Sequence, residues 1–106
     1  MTVEKLLETV DSVKENNLCD DVKLGWIGDV EGRVLSELHG IKPEDIKLPK
    51  GGEDTLTVPD AYARLYLLYL VAMMELCGGN YSAYSQANRE FESAYAMYAR
   101  YVIRNR

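Results

Sequence analysis

Few residues in this chain of 106 could carry covalent or proton-transfer chemistry. His39 is the only histidine, and it stands just before Gly40, where a helix is expected to end. There its charge would complement the helix dipole, a structural role. No second histidine exists to make a His-based metal pair, and no serine or cysteine nucleophile shares a recognisable motif with it. Cys19 and Cys77 lie far apart and match no metal or redox spacing, so they read as reduced, packed thiols. The acidic pairs Asp20-Asp21, Glu44-Asp45 and Glu53-Asp54 are neighbours near helix starts or in loops, where capping and solvation account for them. Gly51-Gly52 and Gly78-Gly79 read as turns, not as a phosphate-binding loop after a strand. The expectation is no catalytic residue, no metal ligand and no cofactor. An enzyme would need carboxylates gathered from distant positions into a concave pocket.

Tyrosine is the residue type that asks for an explanation. All eight lie between residues 62 and 101, against one Phe and one Trp in the whole chain. A buried phenol needs a hydrogen-bond partner, so tyrosine suits surfaces that become partly buried on association. Tyr62, Tyr66, Tyr69, Tyr81, Tyr95 and Tyr101 are therefore candidate interface residues, joined by Leu48 and Leu56 from a long loop. The competing reading places the same tyrosines at ordinary core-boundary positions.

The net charge of −5 is unevenly distributed: residues 1–60 hold 14 acidic and 7 basic side chains, residues 61–106 hold 3 and 5. An acidic front half repels phosphate, which argues against nucleic-acid binding as the main activity. Arg100, Arg104 and Arg106 at the other end complement a final helix's dipole or dock on an acidic partner, and are too few to indicate nucleic acid. The start "MTVEKLLETVDSVKEN" has acidic residues and no continuous apolar region, so it reads as neither secretory signal nor transit peptide, and the expected compartment is the cytoplasm.

The elements that must hold these residues are helical. After Thr2, a suitable N-cap, Val3, Leu6, Leu7, Val10 and Val13 recur at three- and four-residue steps in an amphipathic helix ended by "ENN". Asp20 or Asp21 caps a second, in which Val22, Trp26, Ile27, Val30, Val34 and Leu38 share one broad face, closed by Gly40 and Pro43. Gly25, Gly28 and Gly32 fall together on its other side, where a bare strip permits close approach by another backbone, such as a neighbouring subunit, or merely weakens the helix. Residues 41–59 have three prolines, a Gly-Gly pair and no helical period, and predict an extended arm or a short, exposed β-hairpin. Pro59 and Asp60 open a third helix running to about Cys77, Gly78-Gly79 turn the chain, and Asn80 caps a fourth. Tyr84, Asn88, Phe91, Tyr95, Tyr98 and Val102 form its apolar stripe.

The fold class that follows is all-α: one four-helix bundle-like domain ending in a long antiparallel helical hairpin, with the 41–59 arm between helices two and three. The third helix includes "YARLYLLYLVAMMEL", uncharged from Leu65 to Met74, whereas a bilayer span needs about 20 residues. It predicts a helix covered on every side, by this chain's other helices or in part by another subunit.

In this order of elements the chain resembles the small all-helical head–tail connector, or adaptor, proteins of tailed bacteriophages and prophages. The resemblance is carried by Trp26-Ile27, by Val30-Glu31-Gly32-Arg33-Val34, and by "PDAYARLYLLYLVAMMELCGGNYSAYSQANREFESAYAMYARY" with its Asn-x-x-Phe-x-x-Ala-Tyr stripe. Gly25 and Gly28 fall outside it. What it implies is a structural subunit and no enzyme: a ring of about a dozen copies under the portal, with closed heterologous contacts. Its partners would be itself, the portal and the next neck or tail protein. It would assemble in the host bacterial cytoplasm and reside at the virion head–tail junction. DNA would pass through without being specifically bound, along an acidic wall to which Asp21, Asp29 and Glu31 are expected to contribute. The alternative is a small cytoplasmic regulatory adaptor that buries its Tyr-rich helical face on a single partner.

Overall fold

The computed structural model describes all 106 residues and is all-helical. Helix α1 spans Val3–Val13, with the Thr2 hydroxyl accepting from the Lys5 amide as N-cap. Helix α2, Asp20–Arg33, follows Cys19 at the cap position and runs into a π-helical turn, Val34–Leu38, whose widened ladder ends in a bond from the His39 amide to the Val34 carbonyl. Helix α3, Arg64–Cys77, is entered through a 3₁₀ turn at Asp60–Tyr62, and α4 covers Tyr81–Arg104. Gly40 and Gly79 hold the left-handed backbone needed to leave α2 and α3, with φ of 66° and 78°. At about 1.5 Å per residue, the 24 residues of α4 account for nearly all of the molecule's 38 Å long axis.

Helix α3 is the centre of the molecule. Leu65, Tyr66, Leu68, Leu70, Ala72 and Met74 are buried, and the flanking Leu67 and Tyr69 pack on the same core. Three elements of the same chain supply the cover. From α1 come Val3, Leu6 and Val10, from α2 and its π turn Ile27, Val30, Val34 and Leu38, and from α4 Phe91, Tyr95 and Tyr98. Tyr69 meets Phe91 with ring centroids 5.0 Å apart, and Tyr62 meets Tyr98 and Tyr101 at 5.6 and 5.1 Å, so α3 and α4 pass each other in opposite chain directions. Lys14, the residue that caps the end of α1, pairs with Glu75 at the far end of α3. No helix is long and apolar enough to cross a membrane.

Several expectations change. Val13 and Val22, assigned to apolar faces, are exposed: Val13 is the last residue of α1 and Val22 lies in the first turn of α2, at the ends where their faces no longer meet the core. Cys19 and Cys77 are exposed, since each stands at the end of its helix, outside the packed turns. Residues 41–59 form no β-hairpin; the segment holds a 3₁₀ turn at Pro43–Asp45 and one isolated bridge, Thr2 to Thr55. Its second half belongs to the body. The Val3 and Glu4 amides bond to the Asp54 and Gly52 carbonyls at 3.0 and 2.9 Å, the Leu56 amide bonds to the Met1 carbonyl at 2.9 Å, and Leu56 and Val58 are core residues. Only the first half, from Ile41 to Lys50, lies largely on the surface.

Candidate functional site

Three polar arrangements deserve comparison as sites, and the first is internal. Glu31 occupies an apolar register of α2, four residues after Ile27 and three before Val34, and is 3 % exposed. Its carboxylate accepts from the Thr57 amide at 3.0 Å, the Thr57 hydroxyl at 2.8 Å and the Tyr66 hydroxyl, while Tyr66 in turn accepts from the Val58 amide at 3.0 Å. Burial, and then the bond to the carboxylate, push the Tyr66 phenol far above its usual titration range. Every buried side-chain polar atom in the protein has a partner. An acid engaged by three donors is a structural pin between α2, α3 and the loop, not a free base.

The second arrangement ties α2 to α4. The Arg33 guanidinium bonds to Glu92 through both terminal nitrogens, at 2.9 and 3.2 Å, to Glu37 through Nε at 3.1 Å, and lies 3.9 Å from the centroid of the Tyr95 ring. The Tyr95 hydroxyl donates to Glu37 at 2.8 Å, holding that carboxyl below its ordinary range with help from Arg33. One turn further, His39 Nε2 and the Tyr98 hydroxyl share a hydrogen bond of 3.1 Å, and Arg106 donates to the Leu38 carbonyl.

The third is a surface groove of about 410 Å³ between α1, the start of α2 and the Lys50–Gly52 turn. Its lining includes Glu4, Glu8, Asp11, Asp20 and Asp21, with Leu7 and Leu24 on its floor and Lys50 as its single basic residue. Behind it, Lys23 is buried and donates to Asp11 at 2.9 Å and Asn16 at 3.3 Å, with Asp20 at 3.6 Å. The bond from Lys23, then that from Asn16, hold Asp11 below its ordinary range. Glu4, Glu8 and Asp21 have no ionic partner in the chain. No group of three or more His, Cys, Asp or Glu side chains is placed to hold a metal ion.

The residues expected at an interface or a channel wall divide sharply. Tyr66, Leu56 and Tyr95 are buried in this chain's own core, and Glu31 is pinned inside it, so none of the four has surface to give a partner. Each sits on the side of its element that faces α3 or the loop over it. Tyr62, Tyr69 and Tyr101 are half-buried, whereas Tyr81 and Leu48 are exposed, as are Asp21 and Asp29. The Tyr69 hydroxyl reaches Asp29 at 3.5 Å. The glycine strip is partly roofed from within: Leu48 lies where a Cβ on Gly28 would meet it at 3.6 Å, while Gly25 faces open space. Sequence reasoning missed Lys23, Arg33 and Thr57. For the first, the signal was present, since Lys23 lies four residues before Ile27 on the apolar face. Compared with known protein families, curated proteins and solved structures, the chain gives no match.

Proposed function

We propose that this chain is a structural subunit of a phage or prophage head–tail connector, oligomerising into a ring under the portal and forming part of the DNA channel. The observation that carries the reading is two clusters of unpaired charge, an acidic one along the α1–α2 groove and a basic one near α4, although Lys5 and Glu90 each add a charge of the other sign to the same helices. Glu4, Glu8 and Asp21 lie on the α1 side, and Arg64, Arg100 and Arg104 around α4, all exposed and none in an ion pair. A ring requires two different, complementary faces on each subunit, and a chain with an acidic and a basic flank has them.

In this reading the four helices act as a bundle whose α3–α4 hairpin is a rigid post, and the surface stretch 41–50 is the arm that reaches a neighbour. Tyr62, Tyr69, Tyr81, Tyr101 and Leu48 are the contact residues, with the portal and the next neck or tail protein as further partners. Asp29 remains available to an acidic channel wall past which DNA slides, whereas Glu31 does not. The test is composition: phage particles induced from the source bacterium are purified and this chain is quantified against the portal by mass spectrometry. The expected result is about a dozen copies per particle, the stoichiometry of a closed ring. Particles that contain the portal but lack this chain would defeat the reading and favour a regulatory adaptor.

A further inference from the structure

The outer face of α4 is an unpartnered helix face. Met97 and Ile103 are 53 % and 57 % exposed, and Arg100 and Arg104 stand with Met97 one helical turn apart on the side away from Phe91, Tyr95 and Tyr98. Arg64 adds a third positive charge beside Met97, across the shallow depression they share with Tyr62. Arg100, Arg104 and Arg64 have no acidic partner in the chain, although the chain as a whole is acidic. On the other flank of α3, the groove between α1 and α2 presents unpaired carboxylates above an apolar floor of Leu7 and Leu24. Its volume suits a few large side chains and not a whole helix.

We infer that the occupant of each face is a second copy of this chain: Met97, Arg100 and Arg104 of one copy seat in the groove lined by Glu4, Glu8, Leu7 and Leu24 of the next. The pairing matches apolar to apolar and basic to acidic. Because the two faces differ and lie on different flanks, the contact is heterologous, and repeating it builds a ring or a filament, not an isologous dimer. This inference rests on the ring reading above and names its subunit contact. It also assigns Asp21 to the groove, leaving Asp29 for a channel wall. Exposed ion pairs at a rim act over a Debye length of roughly 30 Å in very dilute salt and about 3 Å at molar salt, so association is strongly salt-dependent.

The experiment uses the full chain and two charge-reversed variants, Glu4→Lys/Glu8→Lys and Arg100→Glu/Arg104→Glu, checked by circular dichroism for unchanged helicity. Sedimentation velocity in low salt is expected to show wild-type mass rising above the monomer with concentration, and association weakened roughly tenfold or more in either variant. Mixing the two variants in equal amounts restores association, because each then offers the other a complementary face on both sides. Wild-type protein that stays monomeric in low salt at millimolar concentration overturns the inference. So does association that survives in both variants, or a mixture no better than its components. Association surviving in both variants leaves the ring reading standing on some other contact, whereas particles lacking the chain defeat the ring reading itself.

Discussion

Two acidic regions of the protein, the Glu31 pin and the α1–α2 groove, have similar side chains and opposite fates. Glu31 is enclosed by α2, α3 and the loop, and three donors surround its carboxylate. In the groove, Glu4 and Glu8 face water with no donor from the chain. A carboxylate stabilises the fold where protein donors replace its lost water; where water remains, it is left free for a partner. Arg33 and Arg104 repeat the contrast in positive charge, one fixed between two glutamates, the other unpaired at the end of α4.

The strongest way to break this comparison is Glu31→Ala, which strands the buried Tyr66 hydroxyl and frees both Thr57 donors from the carboxylate that ties the loop to α2. A loss of about 3 kcal/mol is expected, seen as a fall in Tm of roughly 12 °C or more in a thermal melt. A melt close to wild type would mean that water reaches the site. Tyr66→Phe removes one donor to Glu31 and the acceptor of the Val58 amide, and should cost about 1–2 kcal/mol by urea denaturation.

A smaller effect sharpens the boundary between the two regions. Asp11, Glu37 and Asp54 are held below their ordinary ranges by Lys23, by Tyr95 and Arg33, and by the Lys50 and Gly51 amides, respectively. A depressed native pKa adds stability that is complete above the unfolded value and fades as pH falls through the native one. Melting temperature should therefore hold steady down to about pH 5 and drop progressively below about pH 4. Asp11→Asn should flatten the acid limb of that profile. Least is expected from Glu8→Gln in the groove, within about 0.5 kcal/mol of wild type, because this carboxylate holds nothing within the chain. A loss as large as that of Tyr66→Phe would erase the distinction.

Much of the scaffold was legible because it rests on local rules. The Thr2 cap, the stop at Gly40, the turn at Gly78-Gly79 and the Phe91-Tyr95-Tyr98 stripe follow from backbone freedom and helical period, and all are present. The contact surfaces were less legible. Tyr66 and Tyr69 lie three residues apart on one helix, yet the first is in the core and the second is half-buried with its hydroxyl toward Asp29. Composition treats them alike. Leu56 and Val58 looked like an exposed strand because alternation marks one buried face without saying what covers it, and here the cover is α1 and α3.

The sequence by itself determined that the chain is all-helical, where its helices lie, and that the run from Leu65 to Met74 must be enclosed, since periodicity, caps and apolar length are local properties. Tertiary structure alone decided who encloses it: α1, α2 and α4 of the same chain meet around α3 and bury Leu65, Leu68, Leu70 and Met74, while Leu67, Tyr69, Val71 and Met73 stay half-buried. It also decided which charges are spent inside and which remain for a partner. That choice depends on donors brought from residues far apart in the chain, such as Thr57 and Tyr66 around Glu31, which no pattern along the sequence can reveal.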